Sequence, residues 1–278
     1  MMYSERDPKT GRFIKKKKYA TIIHPKIGTH RAVGFENELQ VNGLEFSMSW
    51  RKKTKIKQLE KLIARRDIFR EMHTDGEGIE FTTKPIKANA LYQKRTMKYM
   101  EEYYEHLKKA TTPISTGGTH IHISVLETDH ENTVLNAVII AQEFFTQLQK
   151  ISGRQVHWAS RPPAEYSRED MERRLSNMSF KANGKKVYNR AYWMITPTNK
   201  GTLEFRGPMG SNKIDEILAW QELFANIVKE ANRESIKGLQ FAQLIRGERI
   251  SKYISSIQDS DAKWRKLSAE ELLQPIKK

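Results

Sequence analysis

Three short segments of this 278-residue chain each carry two polar side chains separated by one residue, inside a run that otherwise favours a β-strand. The pairs are Glu36 with Glu38, His120 with His122, and Glu204 with Arg206. Successive side chains of a strand point to opposite faces, so both members of each pair lie on one face. If the three strands are neighbours in one sheet, three carboxylates, two imidazoles and a guanidinium meet on a single surface. Such a surface predicts a site for metal ions and phosphates and not an apolar core.

The opposite faces of these segments are apolar. In the strand predicted over 31–41, Val33, Phe35 and Leu39 alternate with the glutamate pair, and the strand predicted over 78–83 adds Glu80. Glutamates on a sheet are usually a solvated face, but four carboxylates on one surface repel each other unless divalent cations or arginines neutralise them. Carboxylates combined with imidazoles suit Mg²⁺ or Mn²⁺, and Zn²⁺ is also compatible.

The composition excludes several kinds of chemistry. The chain has no cysteine, which rules out disulfides, thiolate zinc sites, iron-sulfur clusters and a cysteine nucleophile. No apolar run approaches the roughly 18 residues needed to span a bilayer, and the N-terminal segment has lysines where a signal peptide needs apolar residues. We therefore predict a soluble, cytoplasmic protein without a membrane partner. The net charge of +16 favours an anionic partner, such as a nucleotide, a nucleic acid or another polyanion.

The pattern along the chain predicts a disordered basic tail over residues 1–18 and a single domain over residues 19–278. Helical periodicity is strongest over 53–70, 91–107, 134–148 and 212–233. Residues 153–188 are rich in arginine, proline and polar side chains, which is typical of a lid or substrate loop. Strands are predicted over 188–195 and 201–206, joined across 196–200. The chain lacks a Walker P-loop and a Gly-x-Gly-x-x-Gly motif, so a nucleotide would be held mainly by metals and arginines.

The order of the motifs resembles that of the amidoligase family, which belongs to the glutamine synthetase-like carboxylate-amine ligases. The motifs that carry the resemblance are Gly34-Phe35-Glu36-Asn37-Glu38, Asp75-Gly76-Glu77-Gly78-Ile79-Glu80, Gly118-Thr119-His120-Ile121-His122, Asn189-Arg190 and Thr202-Leu203-Glu204-Phe205-Arg206. The resemblance covers roughly residues 30–235. The resemblance implies an α+β fold, with a curved antiparallel β-sheet (a glutamine synthetase-like half-barrel) backed by helices and a helical C-terminal part.

The resemblance also implies ATP and two or three Mg²⁺ (or Mn²⁺) ions on the polar face of the sheet. The implied metal ligands are Glu36, Glu38, Glu80, His120 and Glu204. The implied contacts with the nucleotide phosphates are His122, Arg206 and Arg190. The two arginines would also stabilise the transferring phosphoryl group, because a planar guanidinium matches phosphate oxygens.

The reaction implied for such a site is ATP-dependent amide formation in the single catalytic domain. The γ-phosphoryl group of ATP is transferred to a substrate carboxylate, and an amine attacks the resulting acyl phosphate. Neither step needs a protein nucleophile. Asp75 or Glu77 would act as the base that deprotonates the amine, and either residue is equally well explained as part of a turn. The sequence leaves the carboxylate and amine substrates unidentified.

Other functions remain open at this point. A nucleic-acid-binding protein would use the basic helix predicted over 53–70, the lysine tail and the arginine-rich loop, which explains the positive charge but not the acidic cluster. A metal-dependent hydrolase acting on a polyanion would use the same carboxylates and histidines without ATP. A ligase whose substrate is attached to a nucleic acid or other polyanion would combine the site with the charge.

Overall fold

A computed structural model describes residues 31–42, 68–75, 78–114, 116–126, 128–154, 167–172, 193–198 and 201–277. Four predictions from the sequence lie wholly or mostly outside these ranges: the basic tail over 1–18, the helix over 53–70, the polar segment over 153–188 and the strand over 188–195. The division into a tail and one domain therefore stays a prediction.

An antiparallel sheet is the centre of the described fold. Its strands are β1 (Ala32–Val41), β2 (Phe69–Asp75), β3 (Gly78–Thr83), β4 (Ile86–Lys87), β5 (Thr111–Pro113), β6 (Thr119–Ser124), β7 (Ile195–Pro197) and β8 (Thr202–Phe205). The order across the sheet is β2-β3-β1-β6-β8-β7, and β4 and β5 also pair with β1. All of these pairings are antiparallel, which confirms the predicted α+β class with an antiparallel sheet.

Helices cover the apolar face of the sheet and form the C-terminal part. They are α1 (Lys94–Ala110), α2 (Thr133–Glu143), α3 (Phe145–Ser152), α4 (Ile214–Ala231), α5 (Phe241–Leu244), α6 (Glu248–Gln258) and α7 (Ala269–Leu273). Of these, α1, α2 and α4 contact β5, β7 and β6 respectively. Among the described residues, each helix is either too short or too polar to cross a lipid bilayer.

Strand β1 shows how the sequence pattern produces the two faces. Phe35 and Leu39 are completely buried on the core face, as the alternation predicts, while the glutamates on the other face are only partly buried. Asn37 is a polar residue on the core face, and its amide group donates a hydrogen bond of 3.0 Å to the Tyr104 hydroxyl. A buried amide needs such a partner, so this contact makes the polar residue compatible with the core.

Three sequence predictions were wrong in detail. The helix predicted over 53–70 does not extend to Arg70, because Phe69 and Arg70 belong to β2 and Phe69 pairs with Thr83 of β3. The helix predicted over 134–148 is interrupted at Phe144, whose φ of −102° and ψ of 23° separate α2 from α3. Residues 196–197 belong to β7 and not to a connecting loop, since Thr196 pairs with Glu204. Proline fits at 197 because β7 is at the edge of the sheet that the described residues form.

Candidate functional site

Six of the predicted site residues lie on four strands that are neighbours in the order β3-β1-β6-β8. Three cross-strand pairs bring them together: Glu38 with Glu80, Glu36 with His120, and His122 with Glu204. The sequence predicted which residues share a face within each strand, and the register adds which of them are opposite each other. The predicted convergence of carboxylates and imidazoles on one face of the sheet is therefore present.

His120 lies at the centre of the cluster. Its Nδ1 atom is 3.5 Å from Glu36 Oε2 and 3.4 Å from Glu204 Oε1. Its Nε2 atom is 3.5 Å from Glu38 Oε1. Only 3% of the His120 side chain is exposed, so this imidazole is held among three carboxylates with almost no contact with solvent.

Two groups of side chains have the geometry to hold a metal ion, and Glu36 belongs to both. One group is Glu36, His122 and Glu204, and the other is Glu36, Glu80 and His120. Within each group, one potential ligand atom from each residue lies within 4.8 Å of the others. A carboxylate has two oxygens and can serve two ions, so the arrangement suits a pair of divalent cations that share Glu36. Oxygen and imidazole donors in this ratio fit Mg²⁺ or Mn²⁺.

The protonation states of the cluster suit cation binding. Burial alone would raise the pKa of Glu36, but the hydrogen bonds and the electrostatic interactions with His120 and His122 together outweigh burial and hold the pKa well below its ordinary value. Burial, and then the positive charge of Arg206, lower the pKa of His120. We therefore expect an ionised Glu36 and a neutral His120 at neutral pH, which are the forms that bind metal ions.

His122 is oriented by its surroundings on β8. Its Nδ1 atom is 3.2 Å from the Thr202 hydroxyl, and its Nε2 atom is 3.2 Å from Glu36 Oε1. The Thr202 hydroxyl in turn lies 2.7 Å from the Thr198 hydroxyl. The ring is thereby directed towards Glu36, where it is placed for a metal as well as for the phosphate contact that the family resemblance implies.

Arg206 lies beside the cluster, immediately after β8. Its guanidinium forms an ion pair with Glu204, and 17% of the Arg206 side chain is exposed. The pairing places a positive charge at the edge of the candidate metal site. Polyphosphate oxygens that reached the cluster would meet this guanidinium.

Sequence reasoning did not identify Arg154, which is buried next to the cluster. Its Nη2 atom is 3.4 Å from Glu38 Oε2, and its Nη1 atom donates a hydrogen bond of 2.7 Å to the carbonyl oxygen of Arg206. Burial lowers the pKa of Arg154 to about 10, so the side chain is still charged at neutral pH. Its position directly after Gly153, at the end of a predicted helix, was the available signal. The surrounding arginine-rich segment obscured that signal, because it made Arg154 one of several basic residues in a predicted loop.

The structure describes the remaining predicted site residues only in part or not at all. Asp75 is the last residue of β2 and pairs with Gly78 of β3, which puts its backbone at the end of the β2-β3 hairpin next to the strand that carries Glu80. Glu77 and Arg190 lie outside the described residues. The catalytic roles given to Asp75 and Arg190 stay predictions.

Comparisons with known proteins give matches only among solved structures: no protein-family model and no curated protein matches the sequence. The match to a GmaS/ADP complex covers 95% of this chain and 73% of the GmaS chain, with a TM-score of 0.45 and 12% identity. The ligase PafA, in complex with the prokaryotic ubiquitin-like protein Pup, matches 83% of this chain and 52% of its own, with a TM-score of 0.38 and 11% identity. The match to glutamine synthetase from Plasmodium falciparum covers 73% of this chain and 51% of the glutamine synthetase chain, with a TM-score of 0.36 and 13% identity.

These three proteins are glutamine synthetase-like carboxylate-amine ligases. The chain spans about half the length of PafA and of the P. falciparum enzyme.

Proposed function

We propose that this protein is an ATP-dependent carboxylate-amine ligase that forms an amide bond on the polar face of its sheet. The observation that carries the proposal is the sharing of Glu36 by two groups of potential metal ligands, with the Arg206 guanidinium beside them. A paired cation site next to an arginine supplies the positive charge that binds a polyphosphate, which this chain needs because it has no P-loop.

The metal ligands in this proposal are the residues of the two groups together with Glu38. Glu36, Glu80 and His120 would hold one ion, and Glu36, His122 and Glu204 a second. The Oε1 atom of Glu38 faces His120, where it could complete the first site or help to hold a third ion. Bound divalent ions would neutralise the ATP phosphates and the charge that develops during transfer.

Arginines supply the rest of the phosphate binding in the proposal. Arg206 would contact the phosphoryl group during its transfer, because its guanidinium lies beside the cluster and is more exposed than that of Arg154 (17% against 2%). Arg190 would provide a second guanidinium, as the family resemblance implies. His122 would contact the phosphates through the metal that it ligates or directly.

The proposed reaction has two steps. An oxygen of the substrate carboxylate attacks the γ-phosphorus of ATP, the bond to the β-γ bridging oxygen breaks, and ADP leaves. The amine nitrogen then attacks the carbonyl carbon of the acyl phosphate, inorganic phosphate leaves, and the amine gives up a proton. Asp75 or Glu77 is the proposed acceptor of that proton. Water has to be kept from the acyl phosphate during this sequence, since hydrolysis would return the carboxylate.

The identity of the substrates is proposed only by class, as one carboxylate and one amine. The net charge of +16 supports an anionic substrate or an anionic carrier of it, such as a nucleic acid or another polyanion.

The proposal is tested by ADP release from ATP in the presence of Mg²⁺ and two separate pools, one of carboxylates without an amine and one of amines without a carboxylate, such as polyamines. We expect ADP release to require both pools in the wild-type protein and to be lost in Glu204→Gln, because that variant loses a charged oxygen of one ligand group. With carboxylates labelled with ¹⁸O, one labelled oxygen should appear in the released phosphate. Hydrolysis of a phosphodiester without ATP, together with an absence of ADP release from any pool, would contradict the ligase and favour a hydrolase.

A further inference from the structure

Arg154 makes contacts that go beyond a simple ion pair. Only 2% of its side chain is exposed, so it does not reach a substrate from where it lies. Its Nη2 atom is 3.4 Å from Glu38 Oε2, and its Nη1 atom is 3.3 Å from His120 Nε2. The guanidinium therefore contacts two of the side chains proposed as metal ligands, from the side buried in the protein.

The end of helix α3 fixes where Arg154 enters the site. Gly153 adopts the left-handed conformation with a φ of 73°, which ends the helix and turns the next residue towards the sheet. The Arg265 guanidinium donates hydrogen bonds to the carbonyl oxygens of Lys150 (3.0 Å) and Ile151 (2.5 Å), which secures the last turn of the helix. The position of Arg154 is thus set by the backbone and by a second arginine from the C-terminal part.

Gly118 makes room for the guanidinium. A Cβ atom on residue 118 would lie 2.1 Å from Arg154 Nη1, so any other amino acid at this position would displace the Arg154 side chain. The backbone NH group of Gly118 also donates a hydrogen bond of 2.6 Å to Glu38 Oε2. One glycine therefore holds Glu38 and leaves the space in which Arg154 contacts the same carboxylate oxygen.

We propose that Arg154 is a positioning residue for the candidate metal site. With Oε2 of Glu38 held by Gly118 and Arg154, the other oxygen is directed to His120 and the cluster. The same guanidinium lies 3.3 Å from His120 Nε2 and limits rotation of the His120 ring. This role rests on the proposed metal site and adds to it a residue that none of the family motifs contains.

Two effects of Arg154 on a divalent cation have opposite signs. Residues that orient metal ligands raise metal affinity, and their removal typically weakens binding by about 10- to 100-fold. A positive charge close to the ions repels them, so removal of that charge alone would strengthen binding. The direction of the change on substitution therefore separates a positioning residue from a counter-charge to Glu38.

The experiment is a titration with Mn²⁺ alone, in which electron paramagnetic resonance measures the free ion. Arg154→Met removes both the planar, forked guanidinium and its charge. Arg154→Lys keeps the charge but loses the forked geometry of the guanidinium. Gly118→Ala leaves the arginine in the chain but occupies its space. We expect each of the three variants to weaken Mn²⁺ binding by about 10- to 100-fold.

Arg31→Met is the matched control. The Arg31 guanidinium pairs with Asp129 and donates a hydrogen bond of 2.9 Å to the Ser124 carbonyl oxygen, so it combines a carboxylate and a carbonyl as Arg154 does. Neither of these partners is a proposed metal ligand. We expect this variant to lower the melting temperature and to keep the wild-type affinity for Mn²⁺. Circular dichroism and thermal melts check that every variant is folded, and Arg154→Lys is the variant that keeps the buried charge if Arg154→Met does not fold.

The outcomes distinguish a failure of the positioning role of Arg154 from a failure of the proposed metal site. Wild-type affinity or tighter binding in folded Arg154→Met would overturn the positioning role, and so would full wild-type affinity in Arg154→Lys, because charge alone would then be sufficient. A wild-type protein that binds no Mn²⁺ would overturn the metal site of the proposed function and this role with it. Equal weakening in Arg154→Met and Arg31→Met would show a general effect of stability and would also overturn the positioning role.

Discussion

Glu36→Gln should abolish tight Mn²⁺ binding at both candidate centres, with affinity falling by more than about 100-fold, beyond the range found for residues that only orient ligands. Glu36 is the one residue common to the two groups of potential ligands among the described residues. The substitution keeps the size of the side chain but replaces a charged oxygen donor with a neutral amide, which removes a ligand from each group. The measurement is Mn²⁺ stoichiometry and affinity by calorimetry.

Glu80→Gln gives the comparison that makes this prediction specific. Glu80 belongs to one group only, so this variant should lose one ion and keep the other. Glu105→Gln, on the exposed surface of α1, is the matched control and should bind as the wild type does. If Glu36→Gln kept one tightly bound ion, the shared role of Glu36 would be wrong.

Phe205→Ala should lower the free energy of unfolding by about 3 to 5 kcal/mol, the range for truncation of a buried phenylalanine. In the sequence, Phe205 lies between the site residues Glu204 and Arg206. Its side chain points to the opposite face of the sheet and is completely buried. Its ring lies 5.2 Å from that of Phe224 in α4. The substitution would leave a cavity where the sheet packs on the helix, and urea denaturation measures the loss.

Trp264→Ala is the control for aromatic truncation, because 58% of Trp264 is exposed. A substitution at such a surface position should change stability by no more than about 0.5 kcal/mol. Equal losses for Phe205→Ala and Trp264→Ala would contradict the assignment of Phe205 to the core face. A folded Phe205→Ala protein should still bind Mn²⁺, since none of the candidate ligands is changed.

Alternation along single strands was the part of the site that sequence reasoning could predict. The period of two in β1, β6 and β8 is a local property, and it correctly assigned the glutamates and histidines to one face. The cross-strand pairing of Glu36 with His120 depends on register, which no single segment encodes. The prediction therefore assumed that the strands are neighbours in one sheet, and only the structure shows that they are.

Strand β2 and Arg154 show why the remainder was missed. The apolar residues before Phe69 follow a helical period, so the pattern continued the helix into residues that pair with β3. Arg154 is remote in sequence from Glu38, and it reaches that residue only through the turn at Gly153 and the space at Gly118. Contacts of this kind depend on the three-dimensional arrangement of several elements, which local patterns do not contain.

ATP binding by calorimetry, with Mg²⁺, with Mn²⁺ and without metal, tests the central claim most directly when wild type is compared with Glu204→Gln. Glu204 lies in one ligand group and pairs with Arg206, so it links the candidate metals to the candidate phosphate contact. The account predicts that wild type binds ATP only with a divalent cation and that Glu204→Gln loses this binding. An absence of ATP binding under every metal condition, or binding that is the same in Glu204→Gln, would contradict it.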